Sequence, residues 1–126
     1  KEFRPLILVA EDDDSNFKLI KAIIGKKCDI QWAKNGEEIV ALFKEYGKEA
    51  KAILMDIKMP VMNGLDATKI IREENKEIPI IMQTAYAFSS DKENAMNAGA
   101  SEVLVKPITL SILRGTLTKY FPELVW

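Results

Sequence analysis

The chain has 126 residues, 48% hydrophobic and 29% charged, with 18 Lys and Arg against 19 Asp and Glu. That length allows roughly two thirds of the unfolded surface to be buried, enough for one core without staples, and the net charge of -1 excludes a strongly basic nucleic-acid footprint. There is no histidine, which removes imidazole bases, imidazole metal ligands and any histidine phosphoacceptor; the one cysteine, Cys28, supports neither an intrachain disulfide nor a thiol cluster.

In chain order, Leu6-Ile7-Leu8-Val9-Ala10 is a continuous apolar run, as expected of a strand covered on both faces. Residues 16–24 carry Ile20, Ile23 and Ile24 at helical spacing, with Gly25 tolerating left-handed torsions at the end and Lys26 and Lys27 suiting a helix C-terminus. Residues 28–33 read as a short strand. Asn35 with Glu38 forms a capping box for a helix whose Ile39, Leu42, Phe43 and Tyr46 make one stripe, with Gly47 at its end. A second buried run covers 52–55 and stops at Asp56. Met59-Pro60 and Asn63-Gly64 mark a loop before a helix over 65–75.

A strand is expected at 78–83, with Pro79 at its start. Ser90 and Glu93 form a capping box for a short, weakly apolar helix ending at Gly99, expected to be the most exposed and mobile one. A last strand covers 103–105. Thr109 caps a final helix whose Leu110, Leu113, Leu117 and Phe121 form one face. The longest apolar runs fall far short of a membrane span, and no signal peptide is visible. With one thiol and no disulfide framework, a reducing, cytoplasmic setting is expected. The chain begins at Lys1, which suggests a piece of something longer.

Strands and helices alternate five times across residues 1–126, read as a single domain. Apolar strands alternating with helices give an α/β fold: a doubly wound five-stranded parallel sheet, order 2-1-3-4-5. Such folds place their sites beyond the C-terminal strand ends. There stand Glu11-Asp12-Asp13-Asp14, Asp56, Thr84 and Lys106-Pro107. Carboxylates gathered on one rim repel one another, and a hard divalent cation such as Mg2+ relieves that repulsion. A carboxylate can also attack phosphorus, while a lysine and a hydroxyl engage the phosphoryl oxygens. The rim thus holds a nucleophile, a metal seat, a cation and a donor.

Taken singly, these residues are bland. An acidic cluster is usually a solvated loop, Thr84 an ordinary strand residue and Lys106 a surface charge. An aspartate after a strand usually caps a turn or helix, but Asp56 is followed by Ile57-Lys58-Met59-Pro60 rather than by an immediate helix. Cys28 reads as a small core residue, and Trp32 and Trp126 carry no catalytic signal. Asp12, Asp14 and Asn16 mimic the start of an EF-hand loop, but Phe17 and Ile23 stand where its turn glycine and bidentate glutamate belong.

Four stretches together resemble the receiver (response-regulator) domain of two-component signalling. They are Ile7-Leu8-Val9-Ala10-Glu11-Asp12, Ile53-Leu54-Met55-Asp56-Ile57-Lys58-Met59-Pro60 with Asn63-Gly64, Pro79-Ile80-Ile81-Met82-Gln83-Thr84-Ala85, and Val105-Lys106-Pro107. The likeness is strongest to the receivers of hybrid sensor histidine kinases. It implies a flavodoxin-like (βα)5 fold, with Asp56 as phosphoacceptor and Mg2+ held by Glu11, Asp12, Asp56 and the Lys58 backbone carbonyl. It further implies that Thr84 and Lys106 contact the phosphoryl group; the Lys106-Pro107 bond is often cis in that family, an option the tertiary amide makes cheap.

Lys58 and Tyr86 flank the phosphoryl position as candidates for tuning its hydrolysis. Val103 departs from the family, which usually has an aromatic residue there, so a two-rotamer aromatic switch is in question. The implied function is a phosphorelay module that takes a phosphoryl group from a phosphohistidine, on a histidine kinase or a histidine phosphotransfer domain. It catalyses only its own phosphorylation and dephosphorylation, and switches conformation to regulate an output. The parent chain is expected to be a hybrid kinase, with self-association through the face of the last helices. No nucleic-acid binding and no membrane insertion are expected of this domain.

Three rivals fit less well. An aspartate-nucleophile phosphohydrolase of the Asp-x-Asp type would need its second Asp where Lys58 stands. A flavin carrier on the same fold would need a hydroxyl- and glycine-rich loop where Glu11 to Asp14 would repel phosphate. A degenerate, binding-only receiver would not need Asp56, Glu11, Asp12, Thr84 and Lys106 together.

Overall fold

The computed structural model describes residues 2–86 and 90–126. Five strands alternate with five helices: β1 (Leu6–Ala10), α1 (Asp14–Ile24), β2 (Asp29–Ala33), α2 (Gly36–Tyr46), β3 (Ala50–Asp56), α3 (Gly64–Glu74), β4 (Ile80–Thr84), α4 (Asp91–Ala98), β5 (Glu102–Val105) and α5 (Leu110–Tyr120). All strand pairs are parallel, and the sheet order is β2-β1-β3-β4-β5. This is the doubly wound arrangement expected from the alternation.

Successive strand side chains point to opposite faces, and each face packs under helices. Ile7, Val9, Leu54 and Ile81 meet Ile20 and Ile24 of α1 and Leu113 and Leu117 of α5. Leu8, Ile53, Met55, Ile80 and Met82 meet Ile39 and Phe43 of α2 and Ile71 of α3. Burying each such side chain contributes about 1.5–3 kcal/mol. Two-sided coverage is why these strands show no polar alternation.

Several boundaries differ from the sequence expectation, each for a local reason. Asp13 accepts from Ser15 N at 2.9 Å and so starts α1 at Asp14, earlier than the apolar stripe implies. Strand β3 begins at Ala50 and runs through Asp56, and β4 begins after Pro79 and reaches Thr84. Asn63 is the cap of α3, not a free loop residue, with its Oδ1 accepting from Asp66 N at 2.9 Å. Gly25 and Gly47 follow their helices in right-handed torsions, not left-handed ones; only at Gly99 (φ 117) does a described helix end on a left-handed residue.

Asn35 and Thr109 cap as expected. Glu38, however, reaches past its cap residue to Lys34 N at 2.8 Å. Ser90 makes no side-chain cap because its own torsions are already helical (φ -68, ψ -6). Leu110 is 50% exposed, outside the buried face formed by Leu113, Leu117 and Phe121. Helix α4 buries only Ala95 and Ala98, in line with its expected exposure.

Cys28 is 2% exposed, and burial pushes its thiol up to about 11. The unfolded thiol ionises near 9, so unfolding releases a proton between these values. Stability therefore falls as pH rises through that window, by about 2 kcal/mol. Urea denaturation at the two ends of the window should show this loss, and Cys28→Ala should lack it. The same slope in both proteins would assign the loss to other groups.

Candidate functional site

Parallel strands in register end on one rim, and that is what gathers the polar residues. Asp56 is the last residue of β3 and pairs with Gln83, and Thr84 is the last of β4 and pairs with Val105. Glu11 and Asp12 follow β1, and Lys106 follows β5. Glu11, Asp12, Asp56, Lys58, Thr84 and Lys106 all line one cavity of about 210 Å3. Tyr86 stands beside it, with the Lys58 ammonium 4.6 Å above its ring. Val103 packs away from the rim, opposite Met82 and against the cluster beneath α2 and α3.

The backbone around Asp56 is tightly held. Ile57 N donates to Gln83 O at 3.1 Å, and Gly64 N to Ile57 O at 2.8 Å. A Cβ at Gly64 would be driven into the Asp56 carbonyl oxygen, so glycine is the residue that lets α3 start this close. Met62 N closes a three-residue turn onto Pro60 O at 2.7 Å, leaving Val61 at a φ of 69. Lys106 N donates to Thr84 O at 2.7 Å, and the Lys106-Pro107 bond is cis.

Charge is concentrated where water is scarce. Glu11 is 0% exposed and Asp56 6%. Lys106 Nζ lies 3.0 Å from Asp56 Oδ2 and 3.7 Å from Glu11 Oε1. Burial, then the neighbouring Asp56 carboxylate, push the Glu11 carboxyl up to about 7, against the hydrogen bonds from Asn16 and Asp13 and the charge of Lys106. Burial by itself would lower the Lys106 ammonium, but the Asp56 hydrogen bond and the charges of Asp56, Glu11 and Asp12 outweigh it and raise its pKa.

Carboxylate oxygens of Glu11, Asp12 and Asp56 lie within 4.8 Å of one another. One ammonium thus faces three carboxylates. The donors are all hard oxygens, and a small divalent cation of the Mg2+ type suits both their chemistry and their excess negative charge.

Four further residues shape the site and were not singled out for it by the sequence. Asn16 Nδ2 donates to Glu11 Oε1 at 2.6 Å. Trp32 Nε1 donates to the Glu11 carbonyl at 2.8 Å while its ring stacks on Phe17 at 3.9 Å. Asp91 accepts from the Thr84 hydroxyl at 3.0 Å. Gln83 is 1% exposed in the cavity wall, and its side-chain amide has no hydrogen-bond partner among the described residues. The one available signal was Asn16, five residues beyond Glu11 and in the first turn of α1.

A family model for the response regulator receiver domain matches residues 7–118. The chain belongs to the response regulator receiver family. It is 41% identical over 129 residues to hybrid signal transduction histidine kinase I of Dictyostelium discoideum, a match covering 93% of this chain and 7% of that protein. The receiver domain of a sensor histidine kinase from Pseudomonas aeruginosa, solved with a magnesium ion coordinated in its active-site cleft, aligns with a TM-score of 0.87. That match is 30% identical and covers 94% of this chain and 98% of the other.

The receiver domain of Ssk1 from Saccharomyces cerevisiae, crystallised with the histidine phosphotransfer protein Ypd1, also aligns at a TM-score of 0.87. It is 29% identical, covering 99% of this chain and 96% of the other. The chain is therefore a receiver domain of two-component phosphorelay signalling, with the flavodoxin-like fold that its family resemblance implied. Among the described residues, no helix is long and apolar enough to cross a membrane.

Proposed function

We propose that this receiver takes its phosphoryl group on Asp56, in a reaction that its own residues catalyse, and that the whole chain acts as one such domain. One observation carries the assignment: a nearly buried carboxylate at a strand end shares a cavity with a lysine ammonium at 3.0 Å and two more carboxylates within 4.8 Å.

An Asp56 carboxylate oxygen attacks phosphorus. The P–N bond of the donor phosphohistidine breaks, its electron pair returns to the imidazole, and an acyl phosphate forms. Hydrolysis is the attack of water on that phosphorus, releasing phosphate and restoring the carboxylate. Glu11, Asp12, Asp56 and the Lys58 carbonyl would hold Mg2+, which when bound offsets charge shared by nucleophile and phosphoryl oxygens. Asn16 and the Asp13 amide fix the Glu11 carboxylate that serves this seat.

Lys106 leaves Asp56 for a phosphoryl oxygen, and Thr84 supplies a hydrogen bond to another. The new dianion then biases pre-existing conformations of the chain. Lys58 and Tyr86, paired at the mouth, govern the approach of water. Val103 offers no ring to follow the change.

The donor is a histidine kinase or a histidine phosphotransfer domain, and the setting is the cytoplasmic side of a hybrid kinase. Self-association, where it occurs, uses the face of the last helices, and neither nucleic acid nor lipid is a partner of this domain.

Incubation with acetyl phosphate and Mg2+, followed by intact mass, should give one phosphoryl adduct per chain. Chelation of the metal should abolish it. The adduct should decay at altered rates in Lys58→Ala and Tyr86→Ala. Labelling that survives chelation would remove the metal from the mechanism, and unaltered decay would remove the mouth residues.

A further inference from the structure

Thr84 has one hydroxyl hydrogen, and it is already committed. The hydroxyl donates to Asp91 Oδ2 at 3.0 Å and accepts from Tyr86 N at 3.1 Å. Thr84 is 2% exposed, so its surroundings offer little solvent as an alternative. Asp91 belongs to the first turn of α4 and lines the same cavity as Asp56 and Lys106.

We propose that Asp91 is a positioning residue that holds the Thr84 hydroxyl in the unphosphorylated chain, so that phosphorylation must break this bond and thereby loosens the start of α4. This rests on the assignment above of Thr84 as a donor to the phosphoryl group.

A hydroxyl donates one hydrogen bond at a time, so the Asp91 carboxylate and a phosphoryl oxygen compete for the same hydrogen. Both are anionic acceptors, which form the stronger class of hydrogen bond. The competition cannot be avoided by sharing. The consequence for α4 follows from how that helix is held. Its far end is clamped by Arg72, whose Nε donates to Gly99 O at 2.8 Å and whose Nη2 reaches Ser101 Oγ at 3.3 Å.

At its near end Ser90 contributes no side-chain cap, and only Ala95 and Ala98 are buried along its length. The Thr84–Asp91 bond ties the first turn of α4 to the end of β4. Linkage makes the effect reciprocal: whatever phosphorylation loses by breaking the bond, an intact bond withholds from phosphoryl affinity.

The test is calorimetric titration of the folded chain, in Mg2+, with trifluoroberyllate, whose fluorines accept the hydrogen bonds that phosphoryl oxygens would. Asp91→Ala should bind about three- to tenfold more tightly than wild type, the range of one net hydrogen bond. Thr84→Val should bind more weakly, and in that background Asp91→Ala should add nothing, because the cycle isolates the term that passes through the hydroxyl.

Equal affinity of Asp91→Ala and wild type overturns the proposal. So does a gain that persists in full with Thr84→Val, which would make Asp91 a through-space charge on the cavity and no more. Should Asp91→Ala fail to fold by circular dichroism, Asp91→Asn keeps a weaker neutral acceptor and should show a smaller gain in the same direction. Wild-type chain that binds no trifluoroberyllate, or an acetyl phosphate adduct that survives Asp56→Asn, would instead sink the phosphoacceptor assignment itself.

Discussion

Asp56→Asn should take up no phosphoryl group from acetyl phosphate and Mg2+, under conditions expected to load the wild-type chain. The amide matches the carboxylate in size, so the packing at the end of β3 is kept. What is lost is the anionic oxygen proposed to attack phosphorus and one of the three carboxylates of the proposed metal seat. No neighbour takes its place as nucleophile. Glu11 is fully buried, with its oxygens occupied by Asn16, the Asp13 amide and Lys106. Asp12 stands exposed at the rim, and the Lys106 ammonium pairs with Asp56 and Glu11 rather than with it.

Intact mass decides the matter, with unfolding in urea as the control that the variant is native. An adduct of equal yield on Asp56→Asn would place the nucleophile elsewhere. The effect should be complete rather than partial, because positioning and electrostatics cannot act on a nucleophile that is absent.

The site was more legible in the sequence than its details were, and topology explains the difference. Parallel strands must end on one rim, so Glu11, Asp12, Asp56, Thr84 and Lys106 were forced together once the runs at 6–10, 52–55, 78–83 and 103–105 were read as strands. Two-sided burial made those runs visible. Helix caps at Asn35 and Thr109 were legible because they depend on a side chain and an amide three residues apart. Ser90 has the same spacing to Glu93, yet no cap forms, because the backbone there already turns as helix.

The Thr84–Asp91 bond was hidden because it depends on the path of the chain between β4 and α4 and on a rotamer. The Trp32 indole bond to Glu11 was hidden because it depends on how β2 lies against β1, in which Ala33 pairs with Ala10. Cross-strand register of that kind leaves no mark in local spacing. Gln83 was hidden for the opposite reason: it sits in an apolar run and reads as strand, which it is, while its amide, unpartnered among the described residues, stands in the wall of the cavity.

Lys106→Met should lower stability in the absence of divalent metal, and should make added Mg2+ stabilise the chain by more than it stabilises wild type. Methionine keeps the length and apolar body of the side chain and removes its charge, so the loss is electrostatic rather than a cavity. The ammonium lies 3.0 Å from Asp56 and 3.7 Å from Glu11, and those two carboxylates are almost shut off from water.

Without the ammonium they are left facing each other and Asp12. Stranding buried charge costs about 3–5 kcal/mol in a closed interior; here the Lys106 side chain is 26% exposed and the cavity is open, so roughly 1–3 kcal/mol is expected. A divalent cation in the acidic seat relieves the same repulsion that the lysine relieves, and the relief is worth more where the lysine is missing. Binding to the native state alone stabilises it in proportion to that affinity. Scanning calorimetry of both proteins, with chelator and with Mg2+, separates the two contributions. Equal Mg2+-induced shifts in Tm would mean that Lys106 and the metal seat are electrostatically independent, which distances of 3.0 and 3.7 Å make untenable for a shared pair of carboxylates.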